Sequence, residues 1–438
     1  MLKLFKDRNF SLFWFGEMVS VVGDHISLLA FPWLVLQMTG SAALTGLVFA
    51  AQGVPRAFLM LAGGILVDRT TPKAVMIGSN ALRMLLVMTL AYMITQDIVD
   101  IVMVFVMAFA FGVADAFFYP ASTSILPSIV SEDQLTAGNA IVQTTLHLGM
   151  TVGPVVAGLI IAGEVSGVSH QRLDIAAEGI SSYHRDRDGL ARAFFVDGLT
   201  FALSLISLMF VKPRSLCTQD GEEGENGEGK SSLMGEAREA LAWVWSVPAV
   251  RLGFIGMAVI HFFFMPMIYV ALPVLANERF VEGAYVYGLE MAAYGGGAFL
   301  GAAMAGLIAG PGDKNLVPIM YWFNVFGAAS LTLVILYEPY WWAMLLFSIA
   351  GLFDAFFWVH FTTWLQKRTP GKILGRVMSL LMFMSLGLVP IADALMGFAI
   401  EWNVDWTMIG SSVVMVVCCI WIALNPQARV VEQVAPKS

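Results

Sequence analysis

Ionisable residues stand deep inside long apolar stretches of this chain, among them Asp24, Arg56, Arg83, Asp115, His147, His261 and Asp354. A charge in a bilayer is costly unless it is paired or hydrated, so each marks a candidate site. A carboxylate beside a guanidinium can act as a fixed ion pair between helices. It can also exchange a proton. Desolvation and a neighbouring cation act in opposite directions on a carboxylate's proton affinity, and a moving scaffold changes both. At the rise of an α-helix, Asp24 lies roughly 21 Å along its apolar run and Arg56 roughly 17 Å from the nearer end of its own. These depths pair Asp24 with Arg56, and Arg83 with Asp115. Asp24 or Asp115 is then the proton-exchanging group. His147, His261 and Asp354 lie at similar depth, whereas Asp197, Glu290 and Asp393 fall nearer the run ends, where water is expected to reach them.

Such residues need elements that carry them into a bilayer. Twelve apolar runs do so, at 10–36, 43–67, 74–95, 100–126, 137–163, 191–211, 251–277, 284–310, 315–337, 340–365, 375–400 and 404–424. A helix needs about 20 apolar residues to cross a bilayer core. Hydrophobic residues make up 58% of the chain and charged residues 13%, against about 25% charged in an ordinary soluble domain. The fold class read from this is an all-α polytopic membrane protein. A net charge of −8 spread over short loops leaves no basic footprint for nucleic acid. Cys217, Cys418 and Cys419 do not make a disulfide framework. The opening MLKLFKDRNF is basic, but its apolar run is too long for a cleaved leader and lacks a small-residue cleavage site.

An even number of spans puts both termini on one side. With the N-terminus inside, 17 Lys and Arg residues fall in cytoplasmic segments and 5 outside, four of the latter in one long loop. The positive-inside rule therefore places both termini in the cytoplasm. The domains are a first bundle at 1–211, with an external loop at 164–190 carrying His170 and His184, and a cytoplasmic central loop at 212–250. A second bundle at 251–425 and a tail at 426–438 follow. The central loop contains the acidic stretch GEEGENGEGKSS and an amphipathic helix over 232–246, with Leu233, Leu241, Val244 and Trp245 apolar against Glu236, Arg238 and Glu239. It serves as a tether that can lie on the inner membrane face.

The halves repeat at a separation of about 240 residues. Gly112-Val-Ala-Asp115-Ala-Phe-Phe118 in the fourth span matches Gly351-Leu-Phe-Asp354-Ala-Phe-Phe357 in the tenth. Ala50-Ala-Gln-Gly53 matches Ala292-Ala-Tyr-Gly295, and Ala30-Phe-Pro32 matches Ala271-Leu-Pro273. Parallel repeats of six helices mark a two-bundle secondary transporter whose site lies between the bundles near the membrane midplane.

Three motifs carry a family resemblance. Gly64-Ile-Leu-Val-Asp68-Arg69-Thr-Thr-Pro-Lys73 is similar to the cytoplasmic loop motif of the major facilitator superfamily, with Thr71 where glycine is usual and Pro72 where a basic residue is usual. Gly149-Met-Thr-Val-Gly153-Pro154-Val-Val-Ala-Gly158 resembles the motif associated with its antiporters. Asp24 through Trp33, with Asp115-Ala-Phe-Phe-Tyr-Pro120, resembles the bacterial drug-efflux branch that includes macrolide exporters and the enterobactin exporter. The resemblance implies two pseudo-symmetric six-helix bundles. It implies a gating role for Gly64, Asp68, Arg69 and Lys73, with Arg376 as the candidate partner of Asp68. It implies export, through tight packing at Gly149, Gly153, Pro154 and Gly158. The fourth span holds no arginine, so that part of the branch's proton pathway is not carried over.

No GxxxxGK[ST] loop, zinc-type cluster or nucleophile motif is present, so neither an ATP-driven pump nor an enzyme is expected. Methionines and aromatics such as Phe117, Phe118, Tyr119, Phe262, Phe263, Phe264, Phe356, Phe357 and Trp358 suit an apolar, variable substrate. The expected function is proton-coupled export of hydrophobic or amphiphilic molecules. A dedicated metabolite or siderophore exporter and a non-transporting sensor are the alternatives. The expected partners are a small-molecule substrate, protons and the lipid bilayer, with no cofactor or metal, and the chain is read as a monomer.

Overall fold

The computed structural model describes residues 2–131, 134–163, 182–213, 233–308, 310–312, 314–336 and 339–429. The first half contributes α1 (Arg8–Thr39), α2 (Ala42–Arg69), α3 (Pro72–Thr95), α4 (Ile101–Ile129), α5 (Leu135–Ala162) and α6 (Ser182–Phe210). A short α7 (Leu233–Ser246) leads into α8 (Pro248–Phe263), a π-helical turn at Met267–Ala271, and α9 (Leu272–Arg279), which together make the seventh crossing. Then come α10 (Gly283–Leu307), α11 (Leu316–Leu336), α12 (Tyr340–Arg368), α13 (Leu374–Leu386) running on into α14 (Leu388–Trp402), and α15 (Val404–Leu424). The chain is thus an all-α membrane protein, with twelve crossings among the described residues.

Eleven crossings are long and apolar enough on hydropathy alone. The remaining one, α10, is 25 residues long, and its seven glycines dilute its hydropathy. The same glycines let it lie backbone to backbone on its neighbours: a Cβ at Gly297 would fall 1.9 Å from the Ser348 carbonyl of α12. Small residues allow such approach between membrane helices.

Local chemistry sets the helix ends. The side chains of Asp7, Ser41, Thr71, Asp100 and Asn403 accept from first-turn N–H groups of α1, α2, α3, α4 and α15. Gly40, at φ 64°, closes α1 in the left-handed region. The sixth helix begins at Ser182 rather than near residue 191, so the charged stretch 182–190 is helical and not loop. Its charges escape a hydropathy criterion because they are paired: Trp33 Nε1 donates to Asp186 at 2.9 Å, and Arg185 lies 3.0 Å from the same carboxylate. Residues 164–181, with His170, lie outside the described residues, as does GEEGENGEGKSS.

The two halves share one internal geometry. A Cβ on Gly112 would fall 2.0 Å from the Gln52 carbonyl, and one on Gly351 would fall 2.2 Å from the Tyr294 carbonyl. Both glycines and both partners are matched positions of the repeat, so α2 packs on α4 as α10 packs on α12.

With twelve crossings, the start of α1 and the end of α15 lie on one face of the bundle, here the terminal face; the opposite one is the distal face. The halves meet closely in the distal part of the molecule. The α5 carbonyls of Met150 and Pro154 face Gly295 and Gly288 of α10, and Gly158 meets Ala284 and Tyr285. On the other side, Gly46 of α2 faces the Asp393 carbonyl and Gly397 faces the Ala42 carbonyl. Polar contacts reinforce this seam. Gln37 Nε2 donates to Asn277 at 2.8 Å. Glu401, near the end of α14, accepts from the Ser41 hydroxyl and from Ala43 N–H at 2.8 Å, and so caps α2 across the interface.

Candidate functional site

α1, α2, α3 and α4 bring four of the sequence candidates into one chain of charges. Arg83 is fully buried. Its Nη1 lies 2.9 Å from Asp24 and 3.3 Å from Asp115, and the second oxygen of Asp115 lies 3.2 Å from Arg56. The order is Asp24, Arg83, Asp115, Arg56. The expected Arg83–Asp115 pair is present, but Asp24 binds Arg83 and not Arg56. Similar depth brought Asp24 and Arg56 into consideration; the rotational setting of each helix decides which side chains meet. The Arg83 guanidinium also reaches Asn80 Oδ1 at 2.5 Å and lies between the rings of Phe118 and Phe201, at 4.0 and 4.5 Å from their centroids. Hydrogen bonds and ring faces of this kind offset part of the cost of burying an ion pair.

Two carboxyls join this cluster that depth alone did not single out. Glu17 is buried on α1, and its Oε2 has no hydrogen-bond partner among the described residues. Asp197 on α6 is buried as well, and accepts from the hydroxyls of Ser27 and Thr200. It was expected to be hydrated, as were Glu290 and Asp393; all three are buried. Position along a helix says how deep a residue sits, and neighbouring helices decide whether water reaches it. The spacing Glu17, Ser20, Asp24, Ser27 places four polar groups along one face of α1 and was the readable signal for Glu17.

A cavity of about 400 Å³ lies between the halves, on the terminal side of the distal seam. Its first-half wall carries Gln52, Arg56 and His147, and its second-half wall carries His261, Tyr269, Tyr294, Asp354, Trp358 and Asp393. His147, His261 and Asp354 thus face the space between the bundles, and Arg56 connects that space to the buried charges. The Tyr294 hydroxyl donates to Asp354 at 2.9 Å. His261 Nδ1 lies 2.9 Å from the Met257 carbonyl. Met265 and Tyr269 reach the cavity from where α8 gives way to the π-helical turn, and Ser385 and Val389 from either side of the α13–α14 break. Interrupted helices beside a midplane cavity match the arrangement by which transporters build their sites.

The remaining candidates lie elsewhere. Gly149 and Gly153 of α5 pack on Val21, Val22 and His25 of α1, while Pro154 and Gly158 form part of the seam with α10. Lys73 donates to the carbonyls of Met209 and Val211 at 2.9 and 2.7 Å and so caps α6. Arg69 is exposed at the end of α2. The side chain of Asp68 lies outside the described ones, and Gly64 falls in the same stretch. Arg376 meets Glu239 of α7 at 2.5 Å. On α7, Ala240 and Val244 are buried, while Leu241 and Trp245 stay exposed.

A family model described as Major Facilitator Superfamily matches residues 13–392. The multidrug efflux pump Tap of Mycobacterium tuberculosis is 25% identical over 390 residues, covering 87% of this chain and 85% of the pump. Macrolide efflux protein A of Streptococcus pyogenes is 28% identical over 152 residues, covering 35% of this chain and 38% of that protein. Among solved structures, a D-xylose–proton symporter superimposes with a TM-score of 0.69 over 97% of both chains at 13% identity, a likeness of fold.

Proposed function

The chain belongs to the Major Facilitator Superfamily, and from that premise we propose that it is a proton-coupled exporter of hydrophobic or amphiphilic molecules. Membership makes it a transporter of small molecules and not an enzyme. Export as the direction is supported by the two relatives named as efflux proteins and by the antiporter-like motif of α5, whose Pro154 and Gly158 pack into the seam. The Lys and Arg bias supports reading the terminal face as the cytoplasmic one. On that reading the distal seam closes the outer side of the cavity.

The observation that carries the proton-coupled reading is the Asp24–Arg83–Asp115–Arg56 chain, whose last member stands in the cavity wall. Rocking of the halves about the cavity changes the hydration of Arg56 and Asp115. A proton taken by Asp115 or Asp24 loosens its hold on a guanidinium, and loss of the proton restores it. The proton and the conformational change are thereby linked through one set of contacts.

The test is flux in proteoliposomes holding the purified protein. An imposed pH gradient drives a fluorescent amphiphile against its own gradient, and reversing the pH gradient reverses the movement. Asp24→Asn and Asp115→Asn abolish the driven movement. Unchanged driven flux in both variants removes these carboxyls from the coupling. Flux indifferent to the pH gradient in the unaltered protein overturns the reading.

A further inference from the structure

The short helix α7 has two faces, and the protein covers only one of them. Ala240 and Val244, followed by Val247, are buried where α7 packs on α13 and α8. Glu239 meets Arg376 of α13 at 2.5 Å, which fixes how α7 is turned about its axis. Arg238, Leu241, Ala242 and Trp245 are spaced i, i+3, i+4 and i+7, so they share another face, and all four are exposed. Leu241 and Trp245 keep 46% and 54% of their surface open. A water-facing helix surface is ordinarily polar, and this stripe is not.

The connections of α7 set the level of the stripe. The helix ends at Ser246, and the seventh crossing starts at Pro248. Arg251, in the first turn of that crossing, donates to the Trp245 carbonyl at 3.3 Å and to Gln427 Oε1 at 3.0 Å. Gln427 lies in the turn that follows the twelfth crossing. Trp245 is thereby tied to the ends of two crossings, at the depth of the headgroups on the terminal face. Trp421 and Leu424, exposed in the last turn of α15, stand at the same end of the bundle. Tryptophan is favoured at this depth, where its ring takes the acyl boundary and its N–H the water.

The charges beside the stripe are of one sign. Arg238 precedes Trp245 by about 10 Å along the helix axis. Arg251 follows Trp245, and Arg429 is exposed two residues beyond Gln427. Glu239 is the one acidic side chain of α7 among the described ones, and Arg376 engages it. The neighbouring elements α8, α13 and the turn after α15 contain no acidic residue.

We propose that this face of α7 seats in the leaflet on the terminal face and binds anionic phospholipid. Leu241 and Trp245 enter the acyl boundary, and the phosphate of the headgroup lies among Arg238, Arg251 and Arg429. Apolar burial and attraction to anionic lipid act together on a helix of this composition. The opposite face of α7 holds α13, part of a crossing that is broken beside the cavity. The bound lipid therefore braces that segment as well. None of this depends on the direction of transport.

The test uses the purified full-length protein in detergent, stripped of lipid and then given phosphatidylglycerol or phosphatidylcholine with the same acyl chains. Native mass spectrometry counts the lipid retained. Phosphatidylglycerol binds at least about fivefold more tightly, the equivalent of one arginine at a lipid surface. Arg238→Gln and Arg429→Gln together erase the preference. Arg192→Gln, an exposed charge on α6, leaves it within about twofold. Position is read separately. In a background with the native cysteines replaced by serine, Ala242→Cys carries a bimane fluorophore in nanodiscs, and lipid bearing a nitroxide near its headgroup quenches the emission. Equal retention of the two lipids, a preference that survives the double arginine variant, or an unquenched fluorophore overturns the proposal. Glycerol 3-phosphate that displaces phosphatidylglycerol at equal concentration reveals a site for soluble anions and overturns it too.

Discussion

Asp115 and Asp354 hold matching positions in the two halves, yet Asp115 lies 3.2 Å from the Arg56 guanidinium and Asp354 meets the Tyr294 hydroxyl at 2.9 Å. The duplication kept the acid and changed its answer. In the first half the charges satisfy one another; in the second they face the space between the bundles. The predictions below probe the paired charges of the first half, the distal seam and the orientation in the membrane.

Arg83→Leu tests the first wall. Removing one partner of a buried pair strands the other and costs roughly 3–5 kcal/mol. Here two carboxylates are stranded, Asp24 and Asp115. Thermal unfolding of the purified protein in detergent falls well below that of the parent. Adding Asp24→Asn to Arg83→Leu regains part of the loss without restoring gradient-driven flux. An Arg83→Leu protein that melts with the parent refutes the ion-pair account.

Gly288→Val tests the seam. A Cβ there falls 2.4 Å from the Pro154 carbonyl, backbone that cannot move aside. The distal contact opens, and the cavity becomes reachable from the distal face. In a background with the native cysteines replaced by serine, Tyr269→Cys reacts faster with a membrane-impermeant maleimide added outside cells once Gly288→Val is present. Equal labelling rates with and without Gly288→Val contradict the closed-seam assignment.

Glu401→Gln weakens the cap that α14 places on α2. The neutral amide is a poorer acceptor for helix N–H groups than a carboxylate. The distal separation, read by pulsed electron resonance between spin labels at Asp97 and Trp406, shifts toward longer distances. A distribution that does not move shows that glycine packing alone holds this side shut.

Orientation is checked with reporters. Green fluorescent protein fused after Ala428 fluoresces, and alkaline phosphatase fused after Asp97 is active. The reverse pattern inverts the membrane topology and puts the distal seam on the inner side.

The spans were legible because a bilayer demands long apolar helices and tolerates little else. Even α10 was readable by its place in the repeat, although glycine lowers its hydropathy. The charged candidates were legible for the same reason: Asp24, Arg83 and Asp115 stand out against apolar neighbours. Their partners were not. Asp24 and Arg56 are at similar depth, but Arg83 on α3 is the side chain that turns toward Asp24. Asp197, Glu290 and Asp393 lie near span ends and still escape solvent, because packing against neighbouring helices covers them. Asp393 gained its place in the cavity wall from the break before α14, which hydropathy does not register.

The backbone interruptions at the π-helical turn of Met267–Ala271 and at Gly387 both fall in the second half, beside the cavity. A rod whose ladder of carbonyl-to-amide bonds is broken bends at the break, while an intact one resists. Both breaks therefore sit where bending of the seventh and eleventh crossings would alter the width of the space between the halves.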